Sequence, residues 1–251
     1  VQIRDSGFIL DKQTLGENSL LITIFSQNHG LIKGAVNNIK SKNIARIIAQ
    51  GNHIEFCWKA RLLNHLGTLT LELERPLSFK IFADQLKILM LQSILSTLSV
   101  ALPEGVSEQI LYTETANFIN TLAANKEAML QYIYLELSML STLGFELDLK
   151  NCALTDYIGQ LYYLSPKTGR GAIEEAGIAH HDKLFVIPDY FYNAKAISIA
   201  EFYEGIKITH HFLVKNIFSE KRLMPPASRT NLMQFLARSV TLEATHDFYS
   251  S

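Results

Sequence analysis

Over the first eighty residues, apolar and polar positions alternate with the period of two expected of strands that bury one face. The alternation is cleanest where Ile54, Phe56 and Trp58 oppose Glu55, Cys57 and Lys59, and where Leu69, Leu71 and Leu73 oppose Thr70, Glu72 and Glu74. With the turn signals between them, the pattern predicts five strands: Gly7 to Asp11, Ser19 to Ser26, Leu31 to Val36, His53 to Lys59 and Gly67 to Glu74. Asn28-His29-Gly30 supplies a hairpin turn, because Asn and Gly tolerate positive φ. Five strands in so short a stretch are too few for a packed sandwich. They favour a closed five-stranded barrel of the OB type.

After Arg75-Pro76 the period becomes helical. A stripe of Leu130, Ile133, Leu137 and Leu140 predicts a helix from Lys126 to Leu143, with Asn125 as N-cap and Gly144 just past its end. Its neighbours, about Phe79 to Ala101 and Val106 to Ala123, are apolar on more than one face, as inside a bundle. Two more helices are expected at about Ser198 to Phe218 and Ser228 to Ala237, separated by Pro225-Pro226. Between about 147 and 190 the rhythm breaks into a small irregular insert with a turn at Ser165 to Gly169. The fold class is thus α+β: an OB-type domain over 1–78, then a helical domain over 79–251 carrying the insert.

Composition refines this picture. With 48% hydrophobic and 19% charged residues the chain can bury a substantial core. The apolar stretch from Ile81 to Leu102 is interrupted by Asp84, Gln85, Lys87 and Gln92, so it reads as a buried helix and not a membrane span. The N-terminus lacks a charged-then-apolar leader, and Cys57 and Cys152 are too few for a disulfide framework. A reducing, cytoplasmic setting is expected. The net charge of -1 argues against a polyanionic partner, but its distribution argues for one. Residues 1 to 79 carry nine cations against six acids, and residues 84 to 206 seven against fifteen. From Gly205 to Leu242 there are six cations and one acid.

No acidic residue falls between Asn18 and His53, while Lys33, Lys40, Lys42 and Arg46 lie in or beside the connection after the third strand. A cluster of cations without local carboxylates keeps the positive potential that phosphate contact needs. Alone it reads as a solvated loop; on a barrel whose loops grip single strands it becomes a candidate DNA-binding track, extended by Lys59 and Arg61. Stacking aromatics are scarce, since Phe56 and Trp58 share the apolar face and are expected in the core, so backbone contact with weak sequence preference is anticipated. The second tract, with Lys207, Lys215, Lys221, Arg222 and Arg229 interleaved with Phe212, Ile217, Leu223 and Met224, would suit an acidic peptide ending in hydrophobic residues. Solvated charges over a core-facing stripe are the plainer account of it. The enzymatic candidates are poor. Adjacent histidines at His180-His181-Asp182 and His210-His211 point different ways on a regular element, and no catalytic or phosphate-loop motif occurs. No catalytic residue and no cofactor is expected.

Several short motifs, in order, resemble the bacterial recombination mediator family RecO: Arg4-Asp5-Ser6-Gly7, Leu15-Gly16-Glu17-Asn18, His29-Gly30-Leu31, Gly51-Asn52, Leu143-Gly144-Phe145-Glu146-Leu147-Asp148-Leu149 leading to Cys152-Ala153, and Tyr163-Leu164-Ser165-Pro166-Lys167. The resemblance covers nearly the whole chain. It implies a non-catalytic protein that binds single- and double-stranded DNA, anneals strands, contacts the acidic C-terminal tail of single-strand-binding protein, and works with RecR to load RecA. The alternative is a non-catalytic scaffold whose barrel binds protein and not DNA. Many members of the family carry a four-cysteine zinc module in the insert. Here Cys152 remains, but Thr155 and Glu174 stand at the positions of further ligands, so no metal is expected. Packing of Tyr162, Tyr163, Leu164 and Phe185 should hold the insert instead.

Overall fold

A computed structural model describes residues 1–37, 42–62, 65–124 and 127–250, with side chains at 42–43 and 243–250 left aside. The predicted N-cap Asn125 lies outside the described residues. The chain divides into two compact units, Val1–Ala123 with Pro226–Arg229, and Ala124–Pro225 with Thr230–Ser251. Strands and the first helices thus share a unit, although the change of period falls near residue 78.

The first unit is built on β1 (Gln2–Thr14), β2 (Ser19–Ser26), β3 (Gly30–Asn37), β4 (His53–Lys59) and β5 (Gly67–Arg75). Strand β1 pairs antiparallel with β2 and β4, β3 with β2, and β5 with β4; a short parallel pairing of β3 with β5 closes the ring into a barrel. The alternation foreseen in β4 and β5 holds: Ile54, Phe56, Trp58, Leu69 and Leu71 are buried in one core with Ile9, Ile22, Ile24, Ile32 and Val36. Strand β1 is far longer than its predicted apolar centre, because its polar ends pair along both neighbours. A register shift between Ile9 and Asp11 lets Phe8, Ile9 and Leu10 all be buried, which strict alternation forbids.

The closing parallel pair is only Gly34 with Gly67 and Ala35 with Thr68. Trp58 fills the space beside it. A Cβ on Gly67 would lie 2.2 Å from the indole Cε2, and one on Gly34 would lie 2.7 Å from Leu69 Cγ. The indole Nε1 donates to the carbonyl of Lys33 at 2.9 Å, so the buried ring leaves no polar atom unpaired.

The β2–β3 hairpin is clamped from β1. Asp5 accepts hydrogen bonds from the Ser26 hydroxyl, from the Asn28 amide and side chain at 2.9 Å each, and has His29 Nδ1 at 3.0 Å. Although it lies near the polar start of β1, Asp5 is no solvated strand end: its side chain is 6% exposed. Burial pushes its carboxyl up, but the hydrogen bonds from Ser26, Asn28, His29 and Ser6 outweigh that and hold it below the ordinary 3.8. The same hairpin meets the connection at residues 102–108. Gly30, at φ +65°, would place a Cβ 1.9 Å from the Val106 carbonyl, and Gly105 N donates to Leu31 O at 3.1 Å.

Between β3 and β4 the chain forms α1 (Lys42–Ile47), which the sequence reading left as a connection. Asn52 fixes it by donating to the carbonyls of Arg46 and Ile47 at 2.7 and 3.0 Å. After β5 the predicted helix from Phe79 is in fact two pieces, a 3-10 turn at Phe79–Ala83 and α2 (Gln85–Ala101). Asp84 separates them, its extended backbone ending the turn while its carboxylate accepts from the amides of Leu86 and Lys87. Helix α3 (Gln109–Ala124) brings Tyr112 against Phe8 and Phe25 on the outer side of β1 and β2, with its hydroxyl 2.8 Å from His53 Nε2.

The second unit contains α4 (Ala128–Thr142), the short α5 (Glu174–Gly177), α6 (Ile199–Leu213), continued by a π turn at Val214–Phe218, and most of α7 (Ala227–Ser250). Ser198 and Glu201 form a capping box at the start of α6, and Gly144, at φ +84°, follows α4 as expected. The insert is a three-stranded sheet of β6 (Tyr163–Leu164), β7 (Gly171–Ala172) and β8 (Phe185–Val186) in the order β7-β6-β8. Tyr163 and Leu164 are buried as expected, whereas Tyr162 is exposed. The Tyr192 hydroxyl, unforeseen, ties Leu161 N, Leu161 O and Leu149 O together at 3.0 to 3.1 Å. Among the described residues no helix is long and apolar enough to cross a membrane.

Two predictions follow the barrel's construction. Gly67→Ala forces Trp58 or the β3–β5 pairing to move and should destabilise the chain by about 1–3 kcal/mol in urea denaturation, while Thr70→Ala on the outward side of β5 should stay within about 0.5 kcal/mol. Asp5→Asn should destabilise by about 1–3 kcal/mol at pH 7. Because the folded-state value of Asp5 is lowered, its contribution is complete above the unfolded carboxylate value and disappears as pH falls below about 3.8. The gap between wild type and Asp5→Asn should therefore narrow on acidification; a gap independent of pH would remove the charge of Asp5 from the account.

Candidate nucleic-acid interface

At one end of the barrel Ile3, Leu21, Ile32, Lys33, Trp58 and Leu66 line a groove of about 540 Å³, with His29, His65 and Glu104 also bordering it. Its floor is the edge of the barrel core, where Trp58 and Ile32 are buried. Its far wall is the β4–β5 connection, where Leu62, His65 and Leu66 are exposed. Apolar floor, polar rim and a cation at the edge make a surface that can receive a planar group and its charged linkage.

Of the sequence-predicted cations among the described residues, one lines it. Lys33 lines the groove, but its Nζ is 2.7 Å from Glu104 Oε1. The expectation that no carboxylate opposes this cluster is corrected there: the acid comes from 71 residues farther along the chain, on the connection the hairpin packs against. Arg46 is exposed in the last turn of α1, which also carries Lys42, and Lys40 lies outside the described residues. Arg61 is exposed just past β4. Lys59 is exposed too, but it lines a different depression of about 690 Å³ on the outside of β1, β4 and β5, with Arg4, Asp5, Glu55 and Glu72. That face mixes both signs and keeps no cationic excess.

The second cationic tract is largely used by the fold. Lys207 pairs with Glu204 at 2.7 Å and lies 5.1 Å from the Tyr203 ring centroid. Lys215 donates to the carbonyls of Pro166 and Lys167, and His211 Nε2 is 3.0 Å from the same Pro166 oxygen, so both fasten the insert's turn to α6. Arg229 is 0% exposed, which corrects its assignment to a surface that meets an acidic tail. Lys221 and Arg222 remain at the surface, followed by exposed Leu223 and Met224, the latter 86% exposed. Arg222 adopts φ +55° where the chain turns out of the π segment.

In the insert, Cys152 is buried. Burial would raise its thiol, but hydrogen bonds from the Thr155 hydroxyl and from the amides of Leu154, Ile173 and Thr155 bring it down to about 7. The residues do not fit a four-ligand zinc site. Among the described residues no three of His, Cys, Asp and Glu gather as a metal site would need, and protein hydrogen bonds already surround the one sulfur. His180, His181 and Asp182 are exposed on a 3-10 segment, with His181 Nδ1 turned to the Ile178 carbonyl at 2.9 Å.

Sequence reasoning found the cations but missed the groove that Lys33 borders. Ile3, Leu21 and Leu66 are ordinary strand and loop residues whose exposure depends on which neighbour covers them. A turn ending in exposed Leu62 and Leu66 was the one available signal.

Comparison with known families agrees with this architecture. A family model described as Recombination protein O N terminal matches residues 1–76, and one described as Recombination protein O C terminal matches residues 83–222. A protein named DNA repair protein RecO from Wolbachia sp. subsp. Drosophila simulans (strain wRi) is 33% identical over 237 residues, covering 92% of this chain and 98% of the relative. The proteins of that name from Rickettsia canadensis (strain McKiel) and Rhodospirillum centenum (strain ATCC 51521 / SW) are each 31% identical, covering 88% and 91% of this chain and 92% of either relative. Two domain matches in sequence order and relatives aligned over nearly their whole length make the chain a member of the RecO family of DNA repair proteins.

Proposed function

We propose that the chain is a non-enzymatic recombination mediator of the cytoplasm. It binds single- and double-stranded DNA through an OB-type barrel, promotes annealing, and with RecR loads RecA onto DNA coated by single-strand-binding protein. The barrel carries the reading: a groove with an apolar floor at Trp58 and Ile32 has Lys33 at its edge, and elsewhere on the same unit Arg46 of α1 and Arg61 just past β4 are exposed. Lys42 also belongs to α1, and Lys40 precedes it in sequence. Phosphate contact without base readout suits a protein that must act on any sequence.

The acidic tail of single-strand-binding protein is assigned to Lys221 and Arg222 with Leu223 and Met224, where exposed cations adjoin exposed apolar side chains. The scaffold reading draws on one observation, the ion pair that occupies Lys33.

Affinity for an unstructured oligonucleotide, followed by fluorescence anisotropy across salt concentrations, tests the first part. Replacing Lys40, Lys42 and Arg46 together by Ala should lower the slope of log affinity against log salt by about two to three. Lys33→Ala should leave the slope unchanged, because Glu104 already neutralises it, whereas Glu104→Gln should steepen it by about one. If all these variants match wild type, the barrel rim does not meet phosphate. For the tail, Lys221→Ala with Arg222→Ala should weaken an acidic peptide ending in hydrophobic residues by about tenfold, since each charge-assisted contact is worth about 1.5 kcal/mol or less at an exposed site. Peptide binding in a chain that ignores DNA would favour the scaffold.

A further inference from the structure

We propose that the 3-10 turn at Phe79–Ala83 is a stacking platform for unpaired bases, a second DNA contact that rests on the reading of the chain as a DNA-binding protein. Phe79 is 79% exposed and Phe82 59%, whereas Ile81 between them is fully buried. In a 3-10 turn, residues three apart eclipse one another, so the two rings share a face and succeed each other along it.

The turn is held at both ends. Ser78 caps its start, accepting from Lys80 N at 3.4 Å, and its carbonyl accepts from Ile81 N at 3.1 Å. Asp84 N donates to Ile81 O at 3.3 Å and stops it. With Ile81 as the anchor, the rings are displayed on fixed backbone, which removes part of the ordering entropy from any ligand that stacks on them.

Charge selects the ligand. Lys80 is exposed within the turn, and Arg75, 62% exposed, precedes it with only a loose 3.9 Å approach to Glu74. The acid of the turn, Asp84, is committed to the first amides of α2. Ser78, Lys80, Asp84 and Gln85 are polar neighbours of the rings in sequence, less suited to an apolar protein partner than to a charged one. Two aromatic faces flanked by cations suit a polyanion that offers π faces, which describes single-stranded DNA.

The test uses the full chain carrying Phe79→Ala and Phe82→Ala, checked for an unchanged melting temperature, because truncating exposed rings leaves the core intact. Binding is compared for oligothymidylate and for an abasic strand of equal length. The double variant should bind oligothymidylate about tenfold or more weakly, with an unchanged salt slope and unchanged affinity for the abasic strand, and Phe79→Trp with Phe82→Trp should bind as wild type or tighter. Equal loss on both strands, or no loss on either, overturns the platform while leaving the barrel interface intact. Loss of an acidic tail peptide instead of DNA overturns it in favour of a protein contact. Failure of wild type to bind either strand overturns both this platform and the proposed function.

Discussion

The barrel depends on one contact, the indole of Trp58 laid against two strands that approach without side chains between them. Parallel pairing of β3 with β5 extends over Gly34 with Gly67 and Ala35 with Thr68, too short to hold by its hydrogen bonds alone. Trp58 supplies the missing area, and the glycines supply the room. Its Nε1–H takes the Lys33 carbonyl, which ties the middle of β3 to β4 without a direct strand pairing. The candidate groove inherits this geometry, since Ile32, Lys33, Trp58 and Leu66 border it together only if the ring is closed.

A second constraint sets the electrostatics of that groove. Asp5 gathers Ser26, Asn28 and His29 and so fixes where the hairpin ends. Against that hairpin lies the α2–α3 connection, close enough that Gly30 admits no side chain. Glu104 on that connection then reaches Lys33. A carboxylate that looks remote in sequence is therefore an immediate neighbour, and it neutralises the one cation that lines the groove among the described residues.

What could be read in the chain followed from locality. Strands β4 and β5 carry an uninterrupted alternation and were legible to within a residue. Strand β1 was legible only at its apolar middle, because its ends are exposed polar residues whose pairing partners the sequence does not reveal. Helix α1 has just Ile44 and Ile47 at helical spacing among cations, too little for a periodic signal. The break at Asp84 was hidden because apolar residues resume on both sides of it, and apolarity alone does not separate Phe82, which is exposed, from Ile81, which is buried. For the site, each cation was visible in sequence, but its availability was not. Lys33 and Lys215 are engaged by partners brought near through the fold, Lys207 by Glu204 three residues before it on α6, and Arg229 is withdrawn into the interior.

A nearly neutral protein can hold a polyanion only where local potential departs from the average. The outward side of β1, β4 and β5 does not depart from it, since Arg4 and Lys59 there face Glu55 and Glu72. The segments that do depart are those whose acids are absent or committed: α1, within a run that lacks acids from Asn18 to His53, and the turn before α2, whose Asp84 caps a helix. Both belong to the unit built on the barrel. In the other unit Lys221 and Arg222 are exposed beside Glu220 and two exposed apolar residues, a composition that favours a short amphipathic peptide over a long phosphate backbone. In the proposed reading, the division of labour between a nucleic acid and a protein partner follows from where the fold exposes its cations and which side chains it places beside them.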